Sequence, residues 1–203
     1  MSAADIGMEA WSADRLAATI DHTLLKAEAT PVDIGRLCEE AIKHRFFAVC
    51  IHPVYVTDAV RILGSSPVRV CTVTGFPLGA NRTEIKVEEA RRAAGKALCK
   101  VILETCLLTP AERETACRLC VEAGADFVKT STGLNSGGAT IEDVRLMSRC
   151  VSAHGLGVKA AGGIRTLASA IAMLNAGATR IGSSNSVAIL RETVAALERD
   201  SDE

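Results

Sequence analysis

PAERETACRLCVEAGADFVKTSTG, residues 110–133, is the stretch whose reading decides the fold. Thr109 before Pro110 marks a helix start, because a hydroxyl can accept from first-turn amides and the proline ring pre-sets the helical φ. A helical pattern runs from Pro110 to Ala123. Gly124 stands where a helix C-cap belongs, and Phe127–Ser131 reads as a short strand. The same helix, glycine, strand order recurs at Gly177. Strands are expected at Ile20–Leu25, Ala48–Ile51, Val68–Thr74, Val101–Thr105, Phe127–Ser131, Leu156–Ala160 and Thr179–Ser183. Helices are expected at Pro31–Lys43, Val56–Leu63, Thr83–Ala94, Pro110–Ala123, Ile141–Ala153, Thr166–Ala176 and Val187–Glu198, with Thr30 and Thr166 as further start signals. Apolar strands alternating with helices imply a parallel sheet covered by helices, an α/β fold. No linker or composition shift divides residues 1–203, so one domain is expected. The count is seven β-α units, where a closed (β/α)8 barrel uses eight over about 250 residues.

The chain has 203 residues, 48% hydrophobic and 23% charged, which excludes a disordered protein. A net charge of -1 without blocks of like charge argues against nucleic acid or an anionic membrane as partner. No run of about 18 apolar residues occurs, so no membrane span is expected. MSAADIGMEAW at the start lacks a basic segment followed by an apolar one, so no signal peptide is expected and the location read from it is cytoplasmic. The eight cysteines mostly sit in apolar contexts such as AVCI and VCTV and read as reduced, buried thiols. Cys117 and Cys120 form a CxxC inside a helical pattern with no second pair, so no metal is expected there and no cofactor is called for.

Reactive groups of α/β folds lie at the carboxyl ends of strands and in the loops that follow. Lys129 ends one strand, and Lys159 occupies the matching place in the next. Strands are about 4.8 Å apart, so two inward lysines there would repel, and one would lose its proton near neutral pH. A neutral lysine attacks carbonyl carbons and forms a Schiff base. The competing reading has either lysine pointing outward, or paired with a carboxylate such as Asp21 or Glu104. Gly162-Gly163 and Gly182-Ser183-Ser184 follow the last two strands and suit a phosphate held by backbone amides, or else are tight turns made by glycine. Asp21 closes the first strand as a proton-moving or lysine-positioning carboxylate, an N-cap or a structural ion pair. His22 and His52 read equally as satisfied polar residues. Thr74–Gly79 is expected to shape the mouth of the site.

Eight stretches carry a family resemblance: IDHTLLK (20–26), VCIHPVYV (49–56), VCTVTGFPLGANRTEIKVEEA (70–90), KVILETCLLT (100–109), GADFVKTSTGL (124–134), GGAT (137–140), VKAAGGIRT (158–166) and RIGSSNSVAIL (180–190). In order and over nearly the whole chain, they resemble the deoxyribose-phosphate aldolases. The resemblance implies a TIM (β/α)8 barrel and a metal-free class I aldolase. Such an enzyme interconverts 2-deoxy-D-ribose 5-phosphate with D-glyceraldehyde 3-phosphate and acetaldehyde in deoxynucleoside catabolism. Lys129 would then be the Schiff-base lysine and Lys159 the second lysine, depressing the pKa of Lys129. Asp21 would support that network and Thr132 would face the substrate hydroxyls. Gly162, Gly163, Ser183 and Ser184 would hold the phosphate.

One part of the pattern is absent. Family members continue after the third helix with a strand of the type GADEIDMVIN, which carries an acid–base aspartate, and then another helix. Here RRAAGKALCKVILE runs straight on, so about 35 residues are missing near Ala94–Lys96 and the barrel is expected to lack its fourth strand and helix. Two sheet edges are then open, with a homo-oligomer as one consequence. The alternatives to a working aldolase are a catalytically impaired or non-catalytic phosphosugar-binding relative, and a phosphosugar isomerase with similar loops.

Overall fold

The computed structural model of the chain describes residues 11–93 and 98–201. Its strands are β1 (Ile20–Leu24), β2 (Ala48–Ile51), β3 (Arg69–Thr72), β4 (Lys100–Ile102), β5 (Phe127–Lys129), β6 (Gly157–Ala161) and β7 (Arg180–Ser183). Its helices are α1 (Ala13–Ala17), α2 (Pro31–His44), α3 (Val56–Leu63), α4 (Thr83–Ala93), α5 (Pro110–Glu122), α6 (Ile141–Val151), α7 (Leu167–Asn175) and α8 (Ser186–Ser201). Thr30, Thr109 and Thr166 each accept from the backbone three residues on and receive a side chain back, which makes three capping boxes. Gly124 and Gly177 follow their helices at φ 70° and 110°, a region other residues rarely adopt. α1 carries no signal long enough to read in advance; Ser12 caps it by accepting from the Arg15 amide at 3.2 Å.

All pairings are parallel, in the order β3-β2-β1-β7-β6-β5-β4. Apart from β3 and β4, each strand lies beside its neighbour in the chain, and β1 pairs with β7, which is the order of a barrel wound from β1 round to β7. Between β3 and β4 the described residues make no pairing, so the curl stays open on that side. The fold is thus α/β, of the (β/α)8 barrel type without a fourth strand and helix, and the seam lies where the count of units places it. The junction itself, Ala94–Lys96, lies outside the described residues.

Four expected strands end early, β1 by one residue, β3 and β5 by two and β4 by three, and for β3 and β4 the reason is visible. β4 stops at Ile102 because Glu104 turns to φ 55°, a left-handed conformation, and Thr105–Leu107 wind into a 3-10 turn. β3 keeps only four residues, with β2 as its single neighbour. Alternation sorts the strand residues into two sets. Ile20, Val49, Ile51, Val128, Val158, Ala160 and Ile181 pack under the helices with Leu16, Ile34, Met147, Ile171 and Ile189. Each such fully buried side chain contributes about 1.5–3 kcal/mol of hydrophobic stabilisation. The alternate set, Asp21, Cys50, Lys129, Lys159, Arg180 and Gly182, faces the interior of the curl. An apolar jacket therefore surrounds a charged centre.

Candidate active site

Lys129 ends β5, and its register partner on β6 is Lys159. Register partners on parallel strands point the same way, so both side chains enter the interior, where they are 5% and 1% exposed. Asp21, wholly buried on β1, meets them from across the curl. Lys159 Nζ donates to Asp21 Oδ2 at 2.5 Å, Lys100 Nζ lies 3.4 Å from the same oxygen, and Arg180 Nε lies 4.0 Å from Oδ1. Arg180 is braced by stacking on the Phe47 ring, 3.4 Å from its centroid, and by donating to Ala18 O at 2.9 Å.

The protonation of the three groups follows from this arrangement. Burial alone would push the Asp21 carboxyl up, but Lys159, Lys100 and Arg180 outweigh it and hold the group below its ordinary value. Burial likewise favours a neutral Lys159, yet the adjacent Asp21 carboxylate wins and raises Lys159 above the usual lysine value. Lys129 differs. Burial lowers it, the Lys159 ammonium lowers it further, and among the described residues no carboxylate pairs with it. One amine that sheds its proton readily thus stands beside one that keeps it. Such a pair is able to supply a nucleophile beside a proton donor. The two readings of the strand lysines divide accordingly: Lys159 takes a carboxylate partner and Lys129 does not. Among the described residues Glu104 pairs with no lysine; Thr132 donates to it through its amide at 3.2 Å and its hydroxyl at 2.5 Å.

Gly182 makes the Lys159 pose possible. It is register partner to both Asp21 and Ala161, and a Cβ there would stand 2.9 Å from Lys159 Cε. Beyond the strand ends, Gly162 and Gly163 adopt φ 91° and 79°, and Ala139 of the GGAT loop donates to Gly162 O at 3.1 Å. The amides of Gly162, Gly163 and Ser184 donate to no group among the described residues. They lie in two adjacent loops, the second leading into α8, which is an arrangement able to bind an anion. The Ser183 hydroxyl is already engaged: it donates to Ile164 O at 2.8 Å and accepts from the Asn185 amide at 2.9 Å. The Thr74–Gly79 loop is tied to α4 by Glu89, which accepts from the Gly75 amide at 2.9 Å, and by Lys86, which donates to Gly79 O at 3.0 Å. His22 Nε2 donates to the Glu40 carboxylate at 2.8 Å on the helix side of β1, and His52 Nε2 donates to Leu25 O at 3.1 Å; neither lies with the lysines. Among the described residues no group of three or more His, Cys, Asp or Glu is placed to hold a metal, and Cys117 and Cys120 are buried free thiols.

Lys100 and Arg180 are the interior cations that motif spacing missed. Both begin their strands, whereas reactive residues are sought at strand ends. The available signal was alternation: each stands two residues before an inward position, Ile102 and Gly182, so each shares that face. Cys50 and Cys71 were read as inert core, yet they are register partners facing the same interior.

Fold and site together are those of a barrel-type α/β protein with two lysines buried among its strand ends. A family model described as DeoC/LacD family aldolase matches residues 80–196. The deoxyribose-phosphate aldolase of Geobacillus sp. (strain WCH70) is 46% identical, with 87% of this chain and 95% of that one covered. That of Clostridium kluyveri is 47% identical over 87% of this chain and 97% of its own. The structure of deoxyribose phosphate aldolase from Aeropyrum pernix, described as tetrameric, superposes with a TM-score of 0.86 at 32% identity, covering 96% of this chain and 99% of that chain. The chain belongs to the DeoC/LacD aldolase family. Its alignment to the Geobacillus enzyme runs over 213 residues while using 87% of 203, about 177, so about 36 positions face no residue here. That is the size of one β-α unit.

Proposed function

We propose that the chain is a class I aldolase that cleaves 2-deoxy-D-ribose 5-phosphate to D-glyceraldehyde 3-phosphate and acetaldehyde, with Lys129 as the nucleophile. The observation that carries this reading is the unequal lysine pair: Lys159 is held charged by Asp21 at 2.5 Å, and Lys129 is buried beside it without a carboxylate. Neutral Lys129 attacks the C1 aldehyde of the open-chain sugar, and loss of water leaves an iminium. Its positive nitrogen draws the electrons of the C2–C3 bond as that bond breaks. The C3 hydroxyl loses its proton, and glyceraldehyde 3-phosphate departs. The enamine left on Lys129 takes a proton at C2, and water then releases acetaldehyde. Lys159, backed by Asp21 and Lys100, is the proton-carrying group next to that carbon. The amides of Gly162, Gly163 and Ser184 hold the phosphate, Ser183 shapes the loop by its bond to Ile164, and Thr132 positions the loop after β5 through Glu104.

The family's acid–base aspartate belongs to the absent strand, so the chemistry runs on the Lys159 network alone. Loss of a general acid–base group lowers rates by about 10²–10⁴, and turnover below that of complete relatives is expected. Reduction with borohydride in the presence of deoxyribose 5-phosphate tests the assignment. A stable adduct at Lys129, absent from Lys129→Met, is the expected result. An adduct confined to another lysine overturns it.

The cytoplasm is the proposed location, supported by eight free cysteines; no helix among the described residues is long and apolar enough to cross a membrane. A homo-oligomer is proposed as well, supported by the two open sheet edges and by the tetrameric Aeropyrum pernix relative. Light scattering coupled to size exclusion measures it.

A further inference from the structure

Cys50 and Cys71 are used by no step above. They sit opposite each other on β2 and β3, as register partners of a parallel pair. Cα atoms of such neighbours lie about 4.8 Å apart, inside the span of about 4.4–6.8 Å that a disulfide bridges. Their side chains point into the curl together from neighbouring strands. Cys50 is 1% exposed, whereas Cys71 is only partly buried and belongs to the strand that borders the seam. Cys71 Sγ donates to Thr72 O of its own strand at 3.8 Å. Because β3 pairs on one side only among the described residues, it can adjust to the geometry of an S–S bond more freely than the inner strand of a closed sheet.

We propose that Cys50 and Cys71 form a reversible disulfide that fastens the open edge strand β3 to β2. The oxidant is of the peroxide class. One thiolate attacks a peroxide oxygen, the O–O bond breaks, and the sulfur becomes a sulfenic acid as one water leaves. The partner sulfur attacks it and gives up its proton, the S–S bond forms, and a second water leaves. Two thiols and one hydrogen peroxide thus yield one disulfide and two waters, with two electrons passing to the peroxide. The Cys50 thiol supplies the thiolate: the hydrogen bond from Cys71, ahead of opposing burial, and the nearby Lys159 and Lys129 hold it below its usual value. A dithiol reductant reverses the reaction.

The test is oxidation of the full chain with hydrogen peroxide, quenching with iodoacetamide and tryptic mapping without reductant. Residues 46–61 and 70–82 are separate tryptic peptides, each with one of the two cysteines. The expected product joins them, about 2 Da lighter than their sum, and dithiothreitol returns the free peptides. The melting midpoint of the linked protein is expected to rise by about 5–10 °C, because the bond closes a loop spanning residues 50 to 71. Cys71→Ser is expected to abolish both changes. Separate peptides, whether unchanged or each carrying added oxygen, overturn the proposal. So does a linked form that melts no higher than the reduced one, or Cys50 found bonded to another cysteine.

Discussion

Asp21→Asn removes the one anion in a nest of cations, and its cost can be worked from the three contacts. Lys159 is 1% exposed, and Asp21 is its only ion-pair partner among the described residues. Neutralising Asp21 leaves that ammonium buried without a counter-charge, which costs about 3–5 kcal/mol. A protein of this size has about 5–15 kcal/mol of stability in all, so the variant is expected to fold but to lose about 1.5 M from its urea midpoint. The reverse deletion is milder. Lys159→Met leaves Asp21 with Lys100 at 3.4 Å and Arg180 at 4.0 Å, so the carboxylate keeps two counter-charges. Urea titration followed by circular dichroism at pH 7 compares the two variants and their combination. The double variant is expected to recover part of the loss of Asp21→Asn, since it buries no unpaired ammonium. The pH dependence follows from the sign of the shift. Asp21 is held below its ordinary 3.8, so its contribution is complete above that value and lost as pH falls through the folded-state pKa. The gap between wild type and Asp21→Asn therefore closes in acid. The reasoning is refuted if Lys159→Met costs as much as Asp21→Asn, or if the gap widens below pH 3.8.

Trapping of Lys129 by reductant is expected to rise with pH around a midpoint below the ordinary lysine value of 10.5, and Lys159→Met moves that midpoint upward by removing the repelling charge; a downward move contradicts the pairing. Gly182→Ala places a methyl 2.9 Å from Lys159 Cε and 3.0 Å from Ala161 Cβ, so Lys159 must shift, and kcat is expected to fall by up to about a hundredfold with little change in KM. Thr132→Val strips the 2.5 Å hydrogen bond from half-buried Glu104 and is expected to cost about 1–3 kcal/mol in thermal denaturation. Burial holds the His22 ring below its ordinary 6.5 against the opposing pull of Glu40, so its contribution to stability is lost as pH falls below 6.5, and His22→Gln is expected to flatten that part of the profile.

Elements whose cues are local were legible in the letters. Thr109-Pro110, Thr30-Pro31 and Gly124 mark helix ends because caps act over three or four residues, and the structure places those ends within a residue or two. The two strand lysines were legible because a charge inside an apolar run needs a reason. The absent strand was legible as a missing count. What escaped were relations across the sheet. Lys100 and Arg180 reach Asp21 only because strands 79 and 159 residues away in sequence close round it, and no local pattern encodes that register. The Cys50–Cys71 pairing is likewise a property of two strands laid side by side. Glu104 in a left-handed conformation is set by its bonds to Thr132 rather than by its own propensity, and so a strand was expected to run through it.

The seam between β3 and β4 gives the sheet two ends, and a ribbon with ends frays from them. Backbone amides at those two strands are expected to trade hydrogen for deuterium first, with β7 at the middle of the ribbon last. A closed ring has no such order, since no stave can leave without breaking contact on both flanks. The proposed catalytic groups sit at different depths: Asp21 on β1 is two strands in from the β3 rim, while Lys129 on β5 is one strand in from the β4 rim. Loosening of the rim is therefore expected to reach the proposed nucleophile before it reaches the anion that organises the centre.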